Sequence, residues 1–242
     1  MLTLAIETAT TTVGCALGDQ DGLIVMHEVL RGRRHAELLA PAVELLCRQT
    51  EVAVADIDAV VVDVGPGLFT GLRVGLATAR MMAQMLGVQM VGVSSLDVLA
   101  HAAHAAHAAA DGERTVAAII DARRGEYFVN LYRQGSDGPE ALGVPRCLRP
   151  DELVAELRAR TEPVILAGDG AVRGFDLLTA EVPGLDRPAV THPPVSSLFA
   201  IGLSRLMRGL GVEQAEIVPL YLREPDAQIN WQTRAGRHIE AQ

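Results

Sequence analysis

Ala59-Val60-Val61-Val62-Asp63-Val64, followed by Gly65-Pro66-Gly67-Leu68-Phe69-Thr70-Gly71-Leu72-Arg73, decides the fold. The first part is a β-branched apolar run without polar alternation, the pattern of a strand covered on both faces, as in a parallel sheet. Gly65-Pro66-Gly67 forces the chain to turn, and Thr70 is expected to cap the helix that follows. At ~100° per residue the polar residues of that helix (Arg73, Arg80, Gln84) share one sector and leave an apolar arc of roughly 220°. Leu72, Leu76 and Leu86 form one edge of the arc; Val74, Met81 and Met85 form the other. Gly71, Gly75, Ala79 and Ala83 recur every fourth residue between them, a spacing that lets a second helix backbone come close. Two readings follow. Either one edge meets the parent sheet and the methionine edge meets another protein, or the helix is buried on both sides within its own domain.

The chain has 242 residues and 49% hydrophobic content, enough for one large or two small cores. Cys15, Cys47 and Cys147 are scattered and odd in number, which argues against a disulfide framework or a cysteine-rich zinc site and fits a reducing cytosol. Met1 to Glu7 carries no basic leader and no stretch approaches the ~18 apolar residues of a membrane span, so a cytoplasmic protein is expected. The net charge of -9 makes the chain a poor collector of nucleic-acid phosphates, and 3% aromatic content leaves few stacking platforms for bases.

In order, Leu2 to Glu7 is a strand ending in an acid, Thr8 to Thr12 a turn and Val13 to Leu17 a returning strand. Asp21-Gly22 then turns the chain into Leu23 to Val29. Arg33 to Gln49 has a broad apolar face interrupted by Pro41, and His35 is expected to be an exposed helix start. Val88 to Val93 is a strand and Ser94 to Ala110 an alanine-rich helix ending at Asp111-Gly112. Thr115 to Asp121 again ends in an acid, and Ala122 to Gly125 turns it into Glu126 to Tyr132. Helix, strand, helix and helix follow at Asp151–Arg160, Val164–Ala167, Ala171–Leu178 and Val195–Leu210, with Gly135 to Pro145 and Val182 to Pro194 as loops. The repeated opening suggests a duplication. Two α/β subdomains, 1–110 and 111–223, are expected in an actin-like ATPase or sugar-kinase arrangement, with a polar tail from Tyr221 and above all over 224–242.

Gly65 to Arg73 lacks the Gly-Lys-Ser/Thr of a Walker loop, so the turn reading outweighs a stand-alone nucleotide loop. Glu7 and Thr8 facing Asp121, with Gly168 and Gly170 beside an adenosine, are the candidates for a weak nucleotide cleft, since carboxylates and hydroxyls are hard oxygen ligands. The competing reading, favoured by the want of a basic partner loop, has the hydroxyls capping a hairpin and the acids hydrated in an open cleft. His101, His104 and His107 fan across ~120° of a helix instead of converging on a metal. No nucleophilic triad has a defensible spacing.

Five stretches carry a resemblance: Leu4-Ala5-Ile6-Glu7-Thr8-Ala9, Gly65 to Arg73, Gly92-Val93-Ser94-Ser95-Leu96, Ile120 to Glu126, and Pro219-Leu220-Tyr221-Leu222-Arg223. Together they resemble the TsaB (YeaZ) family, Gcp-like partner subunits in the synthesis of threonylcarbamoyladenosine on tRNA. Leu68 stands where that family has serine, and the tail after Glu224 lies outside the resemblance. The resemblance implies an actin-like fold, a heterodimer with the catalytic subunit TsaD, recruitment of the ATPase TsaE and contact with tRNA through the complex, and it leaves open whether the chain alone is a homodimer or a monomer. It implies a pseudoenzyme: the His-x-x-x-His pair of the catalytic relative falls at Ser95 and Leu99, and Ala189 to Ile201 holds no counterpart of its metal-binding Asp. No catalytic residue, metal or tightly bound cofactor is expected, with ATP and Mg²⁺ only at the complex interface. The partner interface it implies takes in Leu38, Ala42, Leu45, Val74, Met81 and Met85. An independent ATP-dependent kinase or ATPase is the alternative, and a metalloprotease a third reading.

Overall fold

The computed structural model describes residues 1–30, 34–107, 114–135 and 138–223. Its strands are β1 (Thr3–Glu7), β2 (Val13–Asp19), β3 (Gly22–Val29), β4 (Ala59–Asp63), β5 (Gln89–Val93), β6 (Thr115–Arg123), β7 (Glu126–Gly135), β8 (Gly138–Ala141), β9 (Arg146–Leu148) and β10 (Val164–Ala167). Its helices are α1 (His35–Thr50), α2 (Phe69–Leu86), α3 (Ser95–Ala106), α4 (Pro150–Arg158), α5 (Asp169–Glu181) and α6 (Val195–Met207). None of the described helices is long and apolar enough to cross a membrane.

The first sheet has the order β3-β2-β1-β4-β5 and the second β10-β6-β7-β8, with β9 added to β7. In each, an opening strand pairs antiparallel with its successor and parallel with a later one: β1 with β2 and β4, β6 with β7 and β10. The duplication is therefore present in the pairing. The β4 run is buried at all five positions, as its unbroken apolar character demands.

Several boundaries differ from expectation. Helix α2 begins at Phe69 behind Leu68, so Thr70 is inside the first turn and does not cap it. Pro41 sits within α1, where it withholds one backbone hydrogen bond. The segment expected as a loop from Gly135 to Pro145 contains β8, held to β7 from Tyr132 to Gly135. Tyr221 to Arg223 is no loose tail: Tyr221 stacks on Phe69, Leu222 packs on the second core, and Arg223 pairs with Glu126. The expected ends at Asp111-Gly112 and the tail over 224–242 lie outside the described residues.

The packing also departs from two consecutive halves. Leu96, Leu99, Ala100 and Ala103 of α3 pack on Val116, Ala118 and Ile120 of β6 in the second sheet. Val195, Leu198 and Phe199 of α6 return to Ala5, Ala16 and Val61 of the first. Each connecting helix thus covers the other half's sheet, and the first core also takes in Ile217 near the end of the described chain.

Candidate functional site

Strands β1 and β4 run parallel with Ile6 opposite Val62, so the acids that end them, Glu7 and Asp63, come side by side. Carboxyl ends of parallel strands are where open α/β sheets hold ligands. Here the position is closed: Glu7 is fully buried and Asp63 2% exposed. Glu7 Oε1 accepts from Thr10 N at 3.2 Å and Thr10 Oγ1 at 3.3 Å, while Asp63 Oδ1 accepts from Gly65 N and Ser95 Oγ, each at 2.6 Å. Glu7 Oε2 and Asp63 Oδ2 have no donor among the described residues, and the two carboxyl groups lie close enough for each to shift the other's pKa. A shared proton satisfies both. Burial, then the Asp63 charge, push the Glu7 carboxyl well above the usual carboxylate range, so Glu7 holds that proton. Burial raises Asp63 as well, against the hydrogen bonds from Glu7, Ser95 and Gly65.

The other cleft candidates are engaged too. Thr8 Oγ1 donates to Gly71 O at 2.8 Å. Arg173 Nη1 donates to both oxygens of Asp121, at 2.7 and 2.6 Å, and Arg123 adds its backbone N at 2.9 Å and its Nη1 at 3.0 Å. Asp121 is 8% exposed and pairs with Arg173 and Arg123, partners that neither sequence reading gave it. A Cβ at Gly168 would overlap Ile119 O, and one at Gly170 would lie 2.7 Å from the Ile120 carbonyl carbon. Both glycines let α5 seat closely against β6. Arg173 had no sequence signal, since it reaches Asp121 across 52 residues.

The exposed chemistry lies on α2. Leu72, Leu76, Ala79 and Ala83 point into the first core, while Met81 is 56% and Met85 79% exposed. Val74 is half-buried against the core. At the start of α2, Phe69 stacks on Tyr221 with ring centres 5.6 Å apart, and the Arg73 guanidinium lies 3.7 Å from the Phe69 ring centre. Such aromatic and arginine groupings are typical anchors of interfaces. Leu38 and Leu45 of α1 are half-buried, but Ala42 belongs to the protein's own core at 5% exposure, which corrects its assignment to a partner face. The small-residue stripe is corrected likewise. A Cβ on Gly71 would overlap Thr8 O and one on Gly75 would overlap Thr8 Oγ1, so the close approach serves the β1–β2 turn of the same chain. His35 is buried, its Nε2 donating to Thr10 O at 2.9 Å, and is no exposed helix start. Among the described residues no three His, Cys, Asp or Glu side chains group as a metal site would require.

A family model described as TsaD: tRNA N6-adenosine threonylcarbamoyltransferase matches residues 28–156, more than half of the chain. The tRNA threonylcarbamoyladenosine biosynthesis protein TsaB of Bacillus subtilis is 29% identical over 236 residues, covering 96% of this chain and 98% of the relative. The solved structure of YeaZ from Pseudomonas aeruginosa superposes with a TM-score of 0.78 at 27% identity, over 91% of this chain and 99% of that one. The chain belongs to the TsaB (YeaZ) family. TsaB proteins are named for tRNA threonylcarbamoyladenosine biosynthesis, and this member carries the Gcp-like domain that the family model describes. Its fold is the actin-like one: the activator of 2-hydroxyisocaproyl-CoA dehydratase from Clostridium difficile, solved with ADPNP, superposes at a TM-score of 0.51 with 11% identity, a likeness of fold alone.

Proposed function

We propose that this chain is a non-catalytic subunit of the cytoplasmic machinery that makes threonylcarbamoyladenosine on tRNA, binding and stabilising the catalytic subunit TsaD and helping to recruit the ATPase TsaE. The observation that carries the reading is the division of α2: one side is sealed into the first core, and the other exposes Met81 and Met85, with the Phe69–Arg73–Tyr221 cluster at the start of the same helix. Methionine surfaces adapt to a partner, and a patch of this kind on a negatively charged protein favours a protein partner over direct contact with tRNA.

The state of the cleft supports a role without chemistry of its own. Ser95, at a position where the catalytic relative is expected to carry a ligating histidine, is buried and spends its hydroxyl on Asp63. Leu99, at the second such position, is fully buried in the core shared with β6. The strand-end acids satisfy each other or an arginine.

Reconstitution tests the proposal: threonylcarbamoyl transfer to tRNA by TsaD, TsaE and the enzyme supplying the activated threonylcarbamoyl group, with and without this chain. Transfer that depends on the chain, with no turnover by the chain alone, is expected. Transfer at full rate without it, or tight Mg-ATP binding and hydrolysis by the isolated chain, would replace this reading with that of an independent ATPase or kinase.

A further inference from the structure

A cavity of about 660 Å³ lies between α3, α6 and the β7–β8 hairpin. One wall is fixed by Asp97, which accepts from Tyr132 Oη at 2.9 Å and from Arg205 Nη2 at 3.0 Å. Arg205 is held in turn by Nη1 donating to Gly92 O at 2.9 Å. His101, one member of the histidine series, also lines the cavity and is tied through Nδ1 to Ser197 Oγ at 3.1 Å. These polar groups are positioned by the protein itself, as those of a binding site must be.

Two acids, Asp97 and Glu140, and two arginines, Arg205 and Arg208, line the cavity. Asp97 is matched by Arg205, and Glu140 by Arg133 at 2.9 Å. Arg208 lines the cavity as well, and among the described residues its guanidinium has neither a hydrogen bond nor an ion pair. Ser204, near the C-terminal end of α6, and Arg208, which caps that helix, both line the cavity and both are exposed to solvent. Burial lowers the pKa of His101, so its ring adds no competing positive charge at neutral pH. Pro139, Ala200 and Ile201 supply apolar lining.

We propose that this cavity binds a small organic anion, a carboxylate or phosphate monoester whose charged end meets Arg208 and Ser204 and whose apolar body lies against Ala200 and Ile201. Guanidinium groups favour both anions through paired, charge-assisted hydrogen bonds. The proposal stands apart from the role in tRNA modification, and it holds or fails whether or not the chain binds TsaD.

The test is titration of the full chain, ¹⁵N-labelled, with benzoate, phenyl phosphate and uncharged benzyl alcohol. Saturable shifts at the Ser204, Ile201 and Ala141 amides are expected with one or both anions; which anion binds more tightly identifies the charged group. Benzyl alcohol is expected to leave those amides unmoved. Arg208→Ala should weaken anion binding about tenfold or more, with the spectrum otherwise unchanged because the guanidinium makes no hydrogen bond or ion pair with the described residues, and Arg208→Lys should retain part of the affinity. Absence of saturable shifts with either anion, equal affinity in Arg208→Ala, or equal binding of benzyl alcohol would overturn the proposal.

Discussion

Glu7 and Asp63 each end an apolar strand, and the parallel register of β1 and β4 turns two acids 56 residues apart into one proton-sharing pair. In the unfolded chain a glutamate such as Glu7 ionises at about 4.3. In the folded protein burial and Asp63 hold it protonated to higher pH. The folded state therefore binds the extra proton across that interval, and stability falls as pH rises through it, by at most about 1.4 kcal/mol per pH unit for one proton. Glu7→Gln keeps an amide donor for Asp63 and an oxygen for Thr10 while removing the titration. Urea unfolding between pH 5 and 8 should show a falling midpoint in the parent, a flatter profile in Glu7→Gln, and a variant at least as stable at pH 8. Glu7→Leu removes the donor and leaves a buried carboxylate unmatched, with an expected loss of about 3–5 kcal/mol. Equal slopes in the parent and Glu7→Gln would mean that Glu7 carries no proton. The sequence marked Glu7 as the acid ending its strand and left Asp63 inside the apolar run Ala59 to Val64. Their pairing stayed hidden because it depends on register between strands far apart in the chain, as does the capture of Asp121 by Arg173.

At the scale of elements, periodicity located α2 and its inward edge at Leu72 and Leu76, since an amphipathic pattern reports which residues turn inward, but Val74, set on the outer edge, packs against the same core. Periodicity did not report what approaches the glycines. The neighbour is Thr8 in the β1–β2 turn, and a stability measurement separates this from packing against another protein. Gly71→Ala gains about 1 kcal/mol of helix propensity, but its methyl group meets the Thr8 carbonyl oxygen, which is backbone and cannot swing aside. A net loss of about 1–3 kcal/mol in the isolated chain is expected by chemical denaturation. Unchanged or higher stability would return Gly71 to the partner face. The alternation of strands and helices likewise made the duplication legible. It could not say which sheet each connecting helix covers, because α3 and α6 present apolar faces that suit either. Strands β8 and β9 escaped notice for a simpler reason: they are four and three residues long, with mostly exposed or half-buried side chains.

For the whole molecule, the decisive distinction is between apolar residues that hold the protein together and those that remain available. Met81 and Ala42 were grouped on one interface by the resemblance, yet they sit on opposite sides of that line, at 56% and 5% exposure. The same change at the two positions should therefore fail in different ways. Ala42→Asp forces a charge into the first core and should unfold the isolated chain, through the large penalty of an unpaired buried charge. Met81→Asp leaves its carboxylate in water, so the isolated chain should keep its stability within about 0.5 kcal/mol. In a complex with TsaD that carboxylate would be desolvated against a helix without a partner charge, and affinity should fall by about 2–4 kcal/mol, roughly 30-fold or more. Thermal melts of the two variants, followed by calorimetric titration of Met81→Asp with TsaD, separate the effects. If Met81→Asp bound TsaD as the parent does, the methionine edge of α2 would lie outside the interface, and the sealed cleft would be left without the exposed counterpart on which the scaffold role depends.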